Sequence, residues 1–224
     1  MMVSPATHSC WRRVALCGFC LGISSFALSA QSPAQAPSPM LISSHLEAVG
    51  VHLPSYMASI NDLMRYQEGL PTHQKLMVEW DSLPGRQGRV MKEEVAGVPL
   101  APNFVLLDRK QNLLGAGGKI DPLLNEDELV IVGVTASGEI RGLKAQGDPR
   151  LWHGEYLAPG KRQERWDVVT AKVTIEVLLP DDPLIKTVLF MKPRWIADAG
   201  WQLEKIGGID LPSKPSPQST NKKP

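Results

Sequence analysis

Apolar and polar residues alternate most regularly in the stretch VTIEVLLPDDPLIKTVLFMKPRW, which spans residues 173 to 195. Every second residue from Val173 to Leu179 is aliphatic, whereas Thr174 and Glu176 between them are polar. A period of two places successive side chains on opposite faces of an extended chain. The pattern therefore predicts a strand with one face in a core and one face in water.

Two prolines separate this strand from the next apolar segment. Pro180 and Pro183 cannot donate hydrogen bonds to a sheet ladder, so the first strand is expected to end there. Asp182 directly before Pro183 predicts one helical turn. In the residues TVLFM, 187 to 191, both faces are apolar, which indicates a strand that is covered on both sides. The two strands are expected to build a core and to link two sheets.

The period of two recurs along most of the remaining chain. KLMVEWD alternates, ELVIVGVT and EIRGLKA flank Ser137-Gly138, a two-residue hairpin signal, and WQLEKIGGIDL is interpreted as a further strand. NFVLLD and NLLGAG are interpreted as two strands around a turn at DRKQN. Short strands separated by Gly and Pro turns favour a mostly β fold, an antiparallel β-sandwich of immunoglobulin-like or Greek-key type.

A helical period occurs before these strands. The stretch PSYMASINDLMRYQEG, residues 54 to 69, collects Met57, Ile60 and Met64 on one helix face. Ser55 is the predicted N-cap of this helix. A shorter helix is expected around SSHLEAVG. One or two short α-helices are therefore predicted to precede the sandwich.

The first 30 residues have the layout of a secretory signal peptide. Arg12 and Arg13 precede the uncharged run VALCGFCLGISSFALSA, which ends in small residues. The run is shorter than the roughly 20 apolar residues of a spanning helix, so cleavage after Ser29 or Ala30 is expected rather than retention as an anchor. We expect an extracytoplasmic protein, periplasmic or secreted, with no membrane span after signal cleavage.

Two Pro- and Ser-rich segments bound the predicted domain. Residues 31–40 are predicted to be a linker and residues 213–224 a disordered, Lys-containing tail, which leaves one domain at 41–212. Without the leader and tail, 19 of the 24 Lys and Arg residues remain against 23 Asp and Glu, a formal charge of −4. Nucleic-acid binders usually present a basic face, so no nucleic-acid partner is expected.

The mature chain is expected to lack thiols. Cys10, Cys17 and Cys20 all lie in the leader, so disulfides, thiolate metal sites and cysteine nucleophiles are not expected after cleavage. The histidines outside the leader show no HExxH or comparable spacing. We therefore predict no metal site and no cofactor.

The stretch DPRLWHGEY, residues 148–156, is the main candidate for chemistry. In an extended chain His153 and Glu155 share one face, with backbones about 7 Å apart. A histidine oriented by a carboxylate is the beginning of a general base, and Asp148 or Arg150 could complete a polar cluster. Alternatively, the aromatic residues of the stretch face inward while His153 and Glu155 are solvated on an ordinary half-exposed strand.

Tryptophans suggest a binding role. Trp and Arg are enriched in protein interfaces, and exposed Trp rings can stack on sugars. The motifs KPRW and QERW place a Trp beside a cation at a predicted strand end. The candidate binding residues are Trp152, Trp166, Trp195, Arg150 and Arg194. The alternative is that tryptophans fill the core, which is expected for Trp80 and Trp201.

These observations leave three functional hypotheses. The favoured one is an exported, non-enzymatic β-sandwich protein of the bacterial envelope that binds another envelope protein or a glycan. The second is a small secreted hydrolase with a site around His153, Glu155 and Asp148. The third is a structural spacer or assembly subunit. Enzymatic activity is the less favoured possibility, because no GxSxG elbow or other assembled catalytic motif occurs.

Overall fold

A computed structural model describes residues 38–83, 88–91, 103–115, 121–156 and 164–212. The side chains of residues 153–156 and 164–166 lie outside this description, as do the predicted leader, most of the predicted linker and the predicted tail. The described part of the chain is mostly β, as predicted. Its strands are β1 (Met40–Leu41), β2 (Thr72–Asp81), β3 (Arg89–Met91), β4 (Asn103–Leu114), β5 (Leu123–Leu124), β6 (Glu128–Val134), β7 (Ile140–Gly147), β8 (Leu151–Tyr156), β9 (Glu164–Thr170), β10 (Lys172–Pro180), β11 (Thr187–Ile196) and β12 (Gly200–Asp210).

The described strands form four open antiparallel sheets. Their orders are β12-β11-β6-β7, β10-β2-β4, β3-β9-β8 and β1-β5. Ala171 alone separates β9 from β10, so β2 and β3 pair with consecutive parts of one extended segment. The backbone carbonyl of Ala171 accepts hydrogen bonds from both the amide and the hydroxyl of Ser82, which ties this junction to the end of β2.

Two apolar clusters cover opposite faces of the four-stranded sheet. In β6, Val130 and Val132 belong to the cluster that includes the N-terminal segment, whereas Leu129 and Ile131 belong to the cluster that includes β2 and β10. Strand β11 divides in the same way, with Phe190 in the second cluster. The prediction that TVLFM is buried on both faces is therefore confirmed.

The rest of the opening stretch behaves largely as its pattern predicts. In β10, Ile175, Val177 and Leu179 are buried while Thr174 and Glu176 are exposed. The predicted link between two sheets is also confirmed, because β10 pairs with β2 and β11 pairs with β6 and β12.

The predicted helical turn over DPLIK is replaced by a single tight turn. Its two hydrogen bonds run from the Ile185 amide to the Asp182 carbonyl and from the Leu184 amide to the Asp182 carboxylate. The Asp182 side chain therefore closes the turn without a helix.

One predicted turn is wrong. The residues DRKQN do not separate two strands, since β4 runs without interruption from Asn103 to Leu114. Register shifts against β2 and a positive φ of 58° at Asn112 absorb the polar residues as irregularities within the strand. By contrast, the hairpin at Ser137-Gly138 is confirmed, and Gly138 takes the positive φ of 85° that such a turn requires.

The helix α1 spans Ile60–Glu68 and packs against the edge of the four-stranded sheet. Its N-cap is Ser59 rather than the predicted Ser55, because the Ser59 hydroxyl accepts from the amide of Asp62 at the helix start. Ile60 and Leu63 are buried in the first cluster. The Gln67 side-chain oxygen accepts a hydrogen bond from the backbone amide of Leu143 in β7. This bond satisfies one of the backbone donors at that sheet edge.

Candidate binding surface

A buried group of charges lies where β7 ends and β8 begins. We call Asp148, Arg150 and Lys192 the charged corner. Arg150 donates its Nε to Asp148 Oδ1 at 3.0 Å and its Nη2 to Asp148 Oδ2 at 2.6 Å. Lys192 Nζ, from β11, donates to Oδ2 at 2.8 Å, and the Arg150 backbone amide donates to Oδ1 at 3.0 Å. The Asp148 carboxylate therefore accepts four hydrogen bonds with none of its side chain exposed.

The electrostatics of the charged corner follow from this geometry. Burial alone would raise the pKa of Asp148, but the hydrogen bonds and charges of Arg150 and Lys192 outweigh that effect and hold the pKa below its usual value. Burial lowers the pKa of Lys192, and the attraction of Asp148 offsets this only in part. The lowered pKa of Asp148 favours an ionised carboxylate, whereas the lowered pKa of Lys192 reflects the cost of burying its ammonium group.

The indole of Trp80 supports the same corner from the core side. The Arg150 guanidinium carbon lies 3.5 Å from the centroid of the fully buried Trp80 ring, in the range of a cation–π contact. The donors Arg150 Nη1 and Trp80 Nε1 are buried and have no hydrogen-bond partner among the described residues. The corner thus joins β2, β11 and the β7–β8 connection.

The structure gives the predicted catalytic residues different surroundings. Asp148 interacts with Arg150, as the predicted polar cluster allows, but its carboxylate is occupied by that residue and by Lys192. His153 and Glu155 lie in β8, where they pair in register with Asp167 and Arg165 of β9. Because the side chains of His153 and Glu155 lie outside the described part, the structure assigns them no contact.

Sequence reasoning did not identify Lys192 as a member of this group. Its motif, MKPRW, places a lysine between apolar residues late in a strand that is buried on both faces. A lysine in such a position needs a buried acidic partner. That signal predicts a partner for Lys192, although it cannot say which of the 23 acidic residues provides it.

Exposed apolar side chains collect at one end of the molecule. Leu41 in β1 and Leu123 in β5 are paired in register and are 48% and 49% exposed. Trp195 and Ile196, at the end of β11, are each 42% exposed. We call these four residues the hairpin-end surface, since Trp195 and Ile196 form the approach to the β11–β12 hairpin.

Two hydrogen bonds connect the hairpin to the β1-β5 pair. Trp201 Nε1 in β12 donates to the backbone carbonyl of Ser38, which lies three residues before Leu41. The Trp195 amide donates to Glu126 Oε1 at 2.7 Å, and Glu126 follows Leu123 by three residues. Three residues span at most about 11 Å, so both leucines lie near the hairpin.

The two tryptophans of the hairpin fix its local shape. Trp195 and Trp201 face each other in register, and their rings make an edge contact with centroids 5.7 Å apart and planes inclined by 70°. Trp201 is half-buried against the first apolar cluster, whereas Trp195 remains exposed. Arg194, a predicted binding residue, is exposed and forms an ion pair with Glu204 on β12.

The remaining predicted binding residues are dispersed. Trp152 in β8 is 41% exposed and lies under the guanidinium of Arg89, whose carbon is 4.7 Å from the ring centroid. Trp166 lies in β9 with its side chain outside the described part, and Arg150 is buried in the charged corner. Trp80 is fully buried, as predicted. Trp152 shares a register row with one exposed apolar residue, Met91, whereas the hairpin-end surface places Trp195 near three.

A second set of exposed apolar residues occurs on the edge strand β4. Val105, Leu107 and Leu114 are exposed there. Their exposure follows the alternation of an edge strand with one face in water, so we base no binding site on this strand.

Within the described ranges, no group of three or more His, Cys, Asp or Glu residues is arranged to hold a metal ion. No helix in those ranges combines the length and apolar character required to cross a membrane. Comparison with known proteins gives no family model, no curated protein and no solved structure that matches this chain.

Proposed function

We propose that this protein is an exported, non-enzymatic accessory protein of the bacterial envelope that binds another envelope protein through its hairpin-end surface. The leader-like first 30 residues and the expected cleavage site support the extracytoplasmic location. The antiparallel sheets that share two apolar clusters support an immunoglobulin-like or Greek-key sandwich with short helical segments before it.

The exposure of four large apolar residues in one place carries this proposal. Scattered single apolar residues are normal on a protein surface, whereas contiguous ones mark interaction sites. Leu41 and Leu123 are directly paired and share a face, whereas Trp195 and Ile196 are consecutive at the end of β11 and present apolar area on both faces of the hairpin. Trp is also among the residues that contribute most to binding when it is covered by a partner.

A protein partner fits this surface better than a glycan. Sugar rings stack on flat, exposed aromatic faces, and Trp195 is the one exposed ring here, with Trp201 meeting it edge-on. The other three members of the surface are aliphatic, which suits apolar side chains of a protein. Binding through such a surface also distinguishes this protein from a passive structural spacer.

The hydrolase hypothesis lacks comparable support. It requires Asp148 to act with His153 and Glu155, yet the Asp148 carboxylate is buried and accepts four hydrogen bonds inside the charged corner. We expect no hydrolysis of esters, peptides or glycosides by the mature protein. Activity that is lost in a His153→Ala variant would restore the hydrolase hypothesis.

Affinity capture from an envelope extract tests the proposed surface. The bait is the mature chain, compared with a variant that carries both Trp195→Ser and Ile196→Ser. We expect the wild-type chain to retain a specific protein and the double variant to lose it, because the apolar contact area is gone. A glycan array with the same two baits reports whether sugar binding is the lost function instead.

Leu184→Ser provides the matched control. Leu184 is 49% exposed, close to the 42% of Ile196, but it lies in the turn before β11, at the opposite end of that strand from Trp195. The control is expected to capture the same protein as the wild-type chain. Equal capture by all three baits would refute the hairpin-end surface as the binding site.

A further inference from the structure

Acidic residues are frequent in the two chain segments that carry Leu123, Trp195 and Ile196 of the hairpin-end surface. Two segments border it, residues 121–128 and 194–204, and together they contain six acidic residues and one basic residue, a formal charge of −5. The predicted domain as a whole has a formal charge of −4. The two segments therefore carry more negative charge than the predicted domain as a whole, and the rest of 41–212 sums to +1.

The single base and the nearby lysine do not cancel this charge. Arg194 is already paired with Glu204, and Lys192 is buried against Asp148. Asp121 and Asp198 are exposed. The acidic residues of the two segments are Asp121, Glu126, Asp127, Glu128, Asp198 and Glu204.

From this charge distribution we infer that the hairpin-end surface recognises a cationic amphipathic segment of a protein partner, in which Lys or Arg residues alternate with large apolar ones. The inference rests on the proposed function and specifies the partner chemistry. Apolar side chains of the segment cover Trp195, Ile196 and the paired leucines, while its cations face the carboxylates of the two acidic chain segments. Complementary charge of this kind raises association rates and selects against wrong partners.

The same charge argues against other occupants. A second copy of this chain would bring two acidic surfaces together, which is unfavourable between like charges. Anionic lipid surfaces and nucleic acids are repelled for the same reason. The chain's own tail contains Lys214, Lys222 and Lys223 but no large apolar residue, so it matches the charge of the surface without matching its apolar centre.

Synthetic peptides of defined composition test the inference. Three fluorescein-labelled peptides of equal length alternate Leu with Lys, Leu with Glu, and Ser with Lys, and binding to the mature protein is measured by anisotropy. We expect the Leu-Lys peptide to bind at least about tenfold more tightly than the other two, because only it matches both charge and apolarity. Its affinity is expected to fall about tenfold between about 20 mM and 300 mM salt, where exposed charges are screened.

Charge-neutral variants localise the effect. Asp121→Asn combined with Asp198→Asn removes two exposed charges. The Asp121 carboxylate accepts a hydrogen bond from the Leu123 amide at 2.8 Å, and the side-chain oxygen of asparagine can accept the same bond. We expect about three- to tenfold weaker binding of the Leu-Lys peptide at low salt. The control is Asp210→Asn, whose carboxylate accepts the Thr187 hydroxyl at the opposite end of β12, and it is expected to bind like the wild-type protein.

The outcomes separate this inference from the proposed function. Equal binding of the Leu-Lys and Leu-Glu peptides, no binding of either, or no effect of the double Asn variant overturns the cationic partner. Undiminished binding of the Leu-Lys peptide to the Trp195→Ser, Ile196→Ser variant shows that the peptide binds elsewhere and overturns the cationic partner, while the capture experiment decides the proposed surface. Protein capture that depends on Trp195 and Ile196 but not on salt or charge preserves the surface and rejects only its cationic partner.

Discussion

The charged corner and the hairpin-end surface are opposite in character. In the corner, an aspartate, an arginine and a lysine are removed from water, whereas at the hairpin end two leucines, a tryptophan and an isoleucine remain in it. Each arrangement is unfavourable unless something compensates it. In the corner the compensation is visible, since the Asp148 carboxylate accepts four hydrogen bonds from within the chain.

The hairpin end has no such internal compensation among the described residues. Exposing its apolar groups to water is unfavourable until another surface covers them. This region is therefore suited to binding a partner, whereas the charged corner stabilises the fold. The two regions lie on the same strand, because Lys192 and Trp195 are three residues apart in β11. Substitutions only a few residues apart are therefore expected to change either the stability of the fold or its binding to a partner, but not both.

The largest effect is expected for Asp148→Asn. Asparagine has a similar size but leaves Arg150 and Lys192 buried without a negative partner. Breaking a buried ion pair by removing one charge costs about 3–5 kcal/mol, so the free energy of unfolding is expected to fall by that amount. Denaturant titration followed by circular dichroism measures it. A loss below about 1 kcal/mol would show that water reaches the corner and solvates the two cations.

Acid is expected to weaken the fold through the same carboxylate. The pKa of Asp148 is lowered in the folded state, so below the unfolded value of about 3.9 the unfolded chain binds the proton more readily. The contribution of Asp148 is thus present above about pH 4 and is lost as the pH falls through its folded pKa. Melting temperatures between about pH 2 and 6 should fall less steeply in Asp148→Asn than in the wild-type protein. Parallel curves for the two proteins would contradict the shift.

Lys192 also makes the free energy of unfolding depend on pH, at high pH and in the same direction as Asp148. The pKa of Lys192 is lowered in the folded state, so between that value and about 10.5 the unfolded chain holds the extra proton. The contribution of Lys192 to stability therefore rises with pH across this window. Both groups favour the folded state as the pH increases.

A smaller effect is expected for Lys192→Met. Methionine keeps most of the aliphatic stem, and the remaining Asp148–Arg150 pair is neutral and bonded through two parallel contacts. Removing one buried charge is costly when it leaves another charge uncompensated, but Lys192→Met leaves a neutral pair, so we expect a change within about 1 kcal/mol of wild type. The difference from Asp148→Asn, measured in the same denaturant titration, is the test. Equal losses would mean that Lys192, and not only Asp148, holds the corner together.

The sequence predicts the strands better than the sites, for a physical reason. Alternation depends on neighbours along the chain, so Ile175, Val177 and Leu179 identify a half-buried strand without any knowledge of the partner strand. The error at DRKQN arose because polar residues are equally suited to a turn and to an exposed edge strand such as β4. The predicted N-cap was Ser55 and the observed one is Ser59, because two serines near one helix start have the same capping chemistry.

Both sites depend on contacts between distant residues, which a local pattern does not contain. Asp148 and Arg150 are two residues apart, and the sequence indicates each as a possible member of a polar cluster with His153 and Glu155, whereas it does not indicate Lys192, 44 residues from Asp148. Trp195 was selected for its residue type, but Leu41 and Leu123 join it only through the pairing of β1 with β5. Trp80 was expected in the core, yet its contact with Arg150 requires the β7–β8 connection to cross over β2.

The smallest effect on stability is expected at the hairpin end. Ile196→Ser removes a side chain that is already 42% exposed and that belongs to neither apolar cluster, so the free energy of unfolding should change by no more than about 0.5 kcal/mol. The same variant is expected to weaken binding, because its apolar area is available to a partner rather than to the core. Denaturant titration alongside Asp148→Asn gives the comparison. If Ile196→Ser destabilises the fold by more than about 2 kcal/mol, the isoleucine packs within the protein in solution, and the hairpin end belongs to the fold as the charged corner does.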